Sequence, residues 1–228
     1  MTGPIGIVSG SGIELESLID SVDQILPFTA FPGLAQGSVV GHTHRFIIGR
    51  SGQRDVIVQC GRLHMYEGFD YEQVTRPVDV LRDLGAKTIF FTNAAGGLSP
   101  VLQPGDILGV NAVRLCRYQR WEATPGVFHP DFVVDQADYH GALQWVPGPS
   151  YETRAEIRAL QQMRVMAVGM SVGPELARCQ DLGIQAAVLS CITNACFSGE
   201  RLTHEQVVTN ACRASQKIAD LIRHYLAV

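Results

Sequence analysis

The chain has 228 residues, 46% of them hydrophobic, enough to bury a large core within one domain. Its formal net charge of -4 argues against a general affinity for nucleic acid, which demands a broad basic surface, whereas binding one phosphate needs only a local basic pocket. The six cysteines have no CxxC spacing and read as reduced thiols, no apolar run reaches the ~18 residues of a membrane span, and the N-terminus has no signal-peptide pattern, so a cytoplasmic protein with no membrane partner is expected.

Short apolar runs at residues 5–8, 45–48, 56–59, 88–91, 107–110, 142–145 and 186–192 read as strands. The first run leads into Ser9-Gly10-Ser11-Gly12, where glycines allow a tight turn and Ser11 offers a hydroxyl to an anion; alone, the segment favours an ordinary strand-to-helix turn somewhat over a ligand loop. A helix is expected to follow, with Glu14 in its first turn facing solvent. After the third run comes Gly61-Arg62-Leu63-His64-Met65-Tyr66-Glu67-Gly68. Extended, this segment projects Arg62, His64 and Tyr66 to one side, with Glu67 able to orient the imidazole from behind; the competing reading is a solvated edge strand. Its place just beyond a core strand, where open α/β sheets bind ligands, favours a site.

Val74, Val78, Leu81 and Leu84 follow helical spacing up to the stop signal Gly85. The next strand empties into Asn93-Ala94-Ala95-Gly96-Gly97, read as a small-residue turn whose amides approach a ligand. Residues 117–140 have no period and read as a long surface loop. Tyr151-Glu152-Thr153 precedes a helix over residues 153–163, and Gly169-Met170-Ser171 precedes another; each of Glu152 and Ser171 is explained equally well by helix-terminus chemistry. Cys191 and Cys196 flank an apolar run and read as buried thiols. A last helix opens near His204, with Thr203 as a plausible N-cap. The alternation predicts an α/β fold: one domain over residues 1–228, with a central mixed, largely parallel sheet flanked by helices.

Taken together, GSG, GRLHMYEG, TNAAGG, GPSYET, VGMS, ITN and THE, in this order from Gly6 to the C-terminus, resemble the trimeric-type purine nucleoside phosphorylases. The resemblance implies a phosphorylase/hydrolase-like fold, a homotrimer, and purine nucleoside and inorganic phosphate as co-substrates without a cofactor or metal. It implies phosphate contacts from Ser11, His42, Arg62, His64, the Ala94 backbone N–H and Ser171, with Asn93 supporting Ala94. Ribose contacts fall to Tyr66, Met170 and His204, and base contacts to Tyr151, Glu152 and Asn194. Asn194, Glu152 and His64 are the residues expected to carry catalysis.

Adenosine-directed relatives carry an aspartate where this chain has Asn194, which favours 6-oxopurine substrates over adenosine or methylthioadenosine. The chain departs from the family between Gly105 and Gly148, most visibly over residues 111–141, where it is shortened. An aromatic from that region reaches the neighbouring subunit's sugar pocket in the family; Tyr118, Trp121, Phe128 and Phe132 are the candidates here. A non-catalytic nucleoside-binding homologue is the main rival, and retention of Arg62, His64 and Asn194 favours turnover.

Overall fold

In a computed structural model of the chain, the described residues are 3–39, 42–116, 126–197 and 204–227, with the side chains of residues 204 and 205 outside the description. In chain order the strands are β1 (Ile5–Ser9), β2 (Ser21–Pro27), β3 (Arg45–Ser51), β4 (Arg54–Cys60), β5 (Thr88–Gly97), β6 (Ile107–Leu115), β7 (Val127–Phe128), β8 (Tyr139–Trp145), β9 (Ala167–Gly169) and β10 (Gln185–Ala195). The helices are α1 (Tyr71–Asp83), α2 (Arg154–Gln162), α3 (Gly173–Leu182) and α4 (His204–Leu226). Every apolar run expected as a strand forms one.

These runs are apolar throughout because their side chains enter two cores alternately. Val8, Ile57, Ile89, Phe91 and Val188 face one core, which α1 completes with Val74, Val78 and Leu81, and α3 with Leu176 and Cys179. Ile7, Val56, Val58, Phe90, Ala187 and Leu189 face the other, covered by Ala211, Ile218, Ile222 and Leu226 of α4. The helix termini follow their sequence signals: Asp70 caps α1 by accepting from Gln73 N at 2.8 Å, and Thr153 caps α2 while Glu156 returns the bond.

The sheet is mixed. β4, β1, β5 and β10 lie side by side and parallel, so their carboxyl ends form one rim. β6, β8 and β9 form a second parallel group. Antiparallel pairings of β9 with β5 and of β6 with β10 join the two groups, so β5, β9, β8, β6 and β10 close on themselves. The antiparallel β2–β3–β4 ladder extends the other edge.

Three local expectations are corrected. Asn93 to Gly97 continues β5 rather than turning, because small residues let β9 and β10 pair closely on both sides. No α-helix follows Gly12; the chain instead makes a 3-10 turn over Glu16–Leu18 that buries Leu18, and Glu14 stays exposed outside any helix. The segment read as a loop from residue 117 contains β7, paired to β6, and the start of β8; residues 117–125, with Tyr118 and Trp121, lie outside the described residues. Phe132 is not free to reach a neighbour, since it stacks on Tyr225 at 5.1 Å and meets Phe90 edge-on within its own core. Phe128 lies in β7 and packs against the first core.

Candidate active site

The parallel rim opens into a solvent-connected cleft. Its walls include Ser11 beyond β1, His64 and Tyr66 beyond β4, Ala94 on β5, Tyr151 and Glu152 beyond β8, Met170 and Ser171 beyond β9, and Asn194 on β10. Nine residues expected from sequence therefore line one cavity, drawn from six strand ends. Close backbone approach builds this rim. A Cβ on Gly10 would sit 2.7 Å from Thr92 O and Asn93 Cα, and Gly61 combines φ +92° with the His42 side chain against it.

Arg62 and His42 stand behind the wall. Arg62 is 1% exposed, which rules out the solvated-edge reading. Its Nη1 donates to Ser171 Oγ at 2.9 Å, its Nε forms an ion pair with Glu175 Oε1 at 3.4 Å, and neither the buried Nε nor the buried Nη2 has a hydrogen-bond partner among the described residues. Burial works to lower the guanidinium's pKa while Glu175 supports the charge, and an arginine remains protonated in either case.

His42 joins two of these parts. Its Nε2 is 3.0 Å from Ser11 Oγ, and its Nδ1 is 3.1 Å from the Arg62 backbone N and 3.0 Å from the Arg62 carbonyl O. One ring nitrogen cannot serve both backbone groups. The tautomer with hydrogen on Nε2 accepts the Arg62 N–H, a buried donor that is costly to strand, and donates to Ser11 Oγ. That leaves the Ser11 O–H free to donate into the cleft. Burial is the main cause that pushes His42 down to about 4, and the nearby Arg62 guanidinium adds to it, so the ring is neutral at pH 7.

Residues Met65–Glu67 form a 3-10 turn rather than the expected extended run. The turn folds Glu67 back so that Oε1 accepts from His64 N at 2.9 Å and meets His64 Nδ1 at 3.2 Å, while Oε2 accepts from Ser38 N at 2.6 Å. The expected orientation of the imidazole by Glu67 is thus present, and Tyr66 stacks on His64 with ring centroids 4.7 Å apart. Burial opposes ionisation of Glu67, but the donors from His64 and Ser38 outweigh it and hold the carboxyl at about 2. Burial also pushes His64 down, and Arg62 adds to this. With Nδ1–H committed to Glu67, Nε2 of the neutral ring is an acceptor.

The opposite end of the cleft is set by a bulge. The β10–β5 ladder shifts register between Ile192 and Asn194, which re-aims Asn194 into the cavity. Thr193 Oγ1 donates to Asn194 Oδ1 at 3.1 Å, and Asn194 Nδ2 is 3.6 Å from Cys196 Sγ. Behind β5, Ser190 Oγ donates to Asn93 Oδ1 at 2.8 Å, and Asn93 Nδ2 donates to Ala94 O at 3.2 Å, so Asn93 braces Ala94. Glu152 shares this end, and burial raises its carboxyl above the usual range. Cys196 lines the cleft, whereas Cys191 is fully buried; burial pushes their thiols to about 11 and about 12, so neither is a nucleophile at neutral pH.

The His204 side chain lies outside the described residues; α4 begins at His204, and Val207, one turn on, lines the cleft. Sequence reasoning missed Thr193, Cys196 and Val207 as wall residues and Glu175 as the partner of Arg62. A glutamate in the first turn of α3 looks in sequence like ordinary dipole compensation, so nothing marked Glu175.

Residues 4–227 match the family model of the Phosphorylase superfamily. Purine nucleoside phosphorylase 1 of Geobacillus stearothermophilus is 31% identical over 255 aligned positions covering 98% of this chain and 89% of that protein. Purine nucleoside phosphorylase of Mycobacterium tuberculosis is 32% identical, covering 97% of this chain and 89% of that protein. The crystal structure of Schistosoma mansoni purine nucleoside phosphorylase in complex with inosine superposes with a TM-score of 0.79 at 29% identity, covering 98% of this chain and 89% of that one. A rim of six strand ends around a buried arginine and a nearly full-length match to these enzymes lead to one assignment: the chain belongs to the phosphorylase superfamily, among its purine nucleoside phosphorylases.

Proposed function

We propose that this purine nucleoside phosphorylase acts on 6-oxopurine nucleosides, inosine and guanosine with their deoxy forms, in the cytoplasm and as a homotrimer. In this reading phosphate sits among Ser11, Arg62, His64, Ser171 and the Ala94 N–H, with His42 acting through Ser11. The ribose lies against Tyr66 and Met170 with His204 at its 5′ end, and the purine lies by Tyr151 between Glu152 and Asn194. The observation that carries the phosphate assignment is the buried Arg62, whose Nη2 has no hydrogen-bond partner among the described residues and lies beside Ser171 of the cleft wall. A desolvated cation with a spare donor is complementary to an oxyanion.

The chemistry follows from these positions. A phosphate oxygen attacks C1′ from the face opposite the base, the C1′–O bond forms as C1′–N9 breaks, and the bonding electrons leave with the purine. The products are the free base and α-ribose 1-phosphate. Phosphate is already an anion, so no protein nucleophile is needed, and rate comes from positioning and from stabilising developing charge. The Ser11 hydroxyl and Arg62 donate to phosphate oxygens, while His64 Nε2 accepts the P–O–H of monohydrogen phosphate. Asn194 hydrogen-bonds around N7 and O6 and stabilises the departing purine anion.

Base choice rests on Glu152. Its carboxylate accepts N1–H of hypoxanthine or guanine and the 2-amino group of guanine, whereas adenine N1 carries no hydrogen and opposes a second acceptor. Steady-state rates with inosine, guanosine, adenosine and methylthioadenosine at saturating phosphate test the proposal. Inosine and guanosine are expected to exceed the 6-amino substrates in kcat/KM by at least about 10²-fold; faster cleavage of adenosine or methylthioadenosine overturns it.

A further inference from the structure

Glu175 is buried at 3% exposure, and the roles derived so far leave it without one beyond its proximity to Arg62. Its two carboxylate oxygens reach different parts of the cleft wall. Oε1 lies 3.4 Å from Arg62 Nε, and Oε2 accepts the Val172 N–H at 2.7 Å. Val172 follows Ser171 directly and has φ 76°, a conformation a β-branched residue adopts only when its surroundings force it. Ser171 in turn accepts from Arg62 Nη1. The carboxylate, the guanidinium and the turn thus form a closed ring of contacts.

We propose that Glu175 is the positioning residue of the anion site: one carboxylate holds the guanidinium through its ion pair at Nε and, by accepting from Val172 N–H, the turn that presents Ser171, so Arg62 Nη2 and the Ser171 hydroxyl are aimed together at phosphate. The inference rests on the reading of Arg62 and Ser171 as the phosphate site. The ring explains why a buried carboxylate is retained beside a site that receives an anion. A negative charge there weakens phosphate binding by simple Coulomb repulsion, and its geometric role offsets that cost. The Glu175 contact is at Nε, and Nη2 has no hydrogen-bond partner among the described residues, so the carboxylate leaves that donor for phosphate. The same arrangement makes one side chain responsible for two phosphate donors from distant parts of the chain, Arg62 beyond β4 and Ser171 beyond β9.

The variants Glu175→Gln, Glu175→Asp and Glu175→Ala separate these functions. Glutamine keeps an oxygen for Val172 N–H but loses the ion pair to Arg62; aspartate keeps the charge on a shorter arm; alanine removes both. Phosphate affinity is measured by titration calorimetry and as the phosphate KM at saturating inosine, alongside the inosine KM and Tm. Glu175→Gln is expected to melt within a few degrees of the parent, to raise the phosphate Kd and KM at least 10-fold, and to change the inosine KM less than 3-fold. Glu175→Asp should recover part of the phosphate affinity, and Glu175→Ala should lose affinity and melt lower. Unchanged phosphate affinity in folded Glu175→Gln or Glu175→Asp overturns the proposal, as does a loss confined to Tm and kcat. The unmodified protein tests the underlying reading separately: if it binds phosphate without consuming it, phosphorolysis fails while the Kd ratio still decides the role of Glu175. If it binds no phosphate, both fail.

Discussion

Replacing Arg62 by methionine keeps most of the side-chain volume and removes the charge, and the structure fixes two consequences that are measured independently. The first concerns phosphate. Arg62 has Nη1 on Ser171 and Nη2 without a hydrogen-bond partner among the described residues, so the two N–H groups of Nη2 are open to charge-assisted hydrogen bonds with the anion. At about 1.5–3 kcal/mol each their loss is worth about 3–6 kcal/mol, or roughly 10²- to 10⁴-fold in phosphate affinity. The second concerns the fold. Glu175 would be left as a buried, unpaired carboxylate, and breaking such a pair costs about 3–5 kcal/mol. For a chain of this size that lowers Tm by roughly 6–20 °C. Initial rates at varied phosphate with saturating inosine read the first effect, and a thermal melt reads the second. The double variant Arg62→Met/Glu175→Gln neutralises the stranded carboxylate and should regain most of the lost Tm while phosphate affinity stays lost. The reasoning is refuted if Arg62→Met keeps a phosphate KM within 3-fold of the parent, or if the double variant melts no higher than the single one.

Asn194→Ala should lower kcat with inosine by about 10²–10³, the usual cost of losing one transition-state donor, while the phosphate KM changes little; equal losses in both parameters would place Asn194 outside base activation. Burial raises Glu152, so acid protonates it earlier than an ordinary glutamate, and the protonated form can donate to adenine N1. The inosine-to-adenosine ratio of kcat/KM should therefore fall as the pH is lowered, and a flat ratio down to the acid limit of the folded protein contradicts the assignment of Glu152 to N1. His42 titrates near 4 when folded and near its usual 6.5 when unfolded, so the unfolded chain takes up a proton first as pH falls. Its contribution is intact above pH 6.5 and is lost between 6.5 and 4, to about 3 kcal/mol at the acid end. The difference in urea midpoint between the parent and His42→Gln should shift by that sense across this window, and no pH dependence of the difference would exclude a buried neutral His42.

Much of this was legible in sequence because local physics and tertiary structure agreed. The strands that became β1, β4, β5 and β10 announced themselves as apolar runs, since both faces of the sheet are buried. Their glycine-rich ends announced the rim of the cleft, and Glu67 behind His64 was readable from its spacing. The failures have physical causes too. β2 exposes nearly all its side chains, including Val22 and Ile25, so no burial period marked it, and β9 has only three residues. The run Asn93 to Gly97 imitates a turn, although its small residues serve strand pairing on both edges. Arg62 and Tyr66 reach the site region by routes other than strand alternation: the guanidinium passes behind the wall to Ser171, and Tyr66 enters on a 3-10 turn. Glu175 could not be singled out because its function depends on a contact with a residue 113 positions earlier, 175 - 62, that only folding creates.

The most direct test incubates the purified 228-residue chain with inosine in the presence and absence of inorganic phosphate and follows hypoxanthine and ribose 1-phosphate together. The account predicts equimolar hypoxanthine and α-ribose 1-phosphate with phosphate present, and neither product without it. Release of hypoxanthine with free ribose in the absence of phosphate, or no release under either condition, would contradict it.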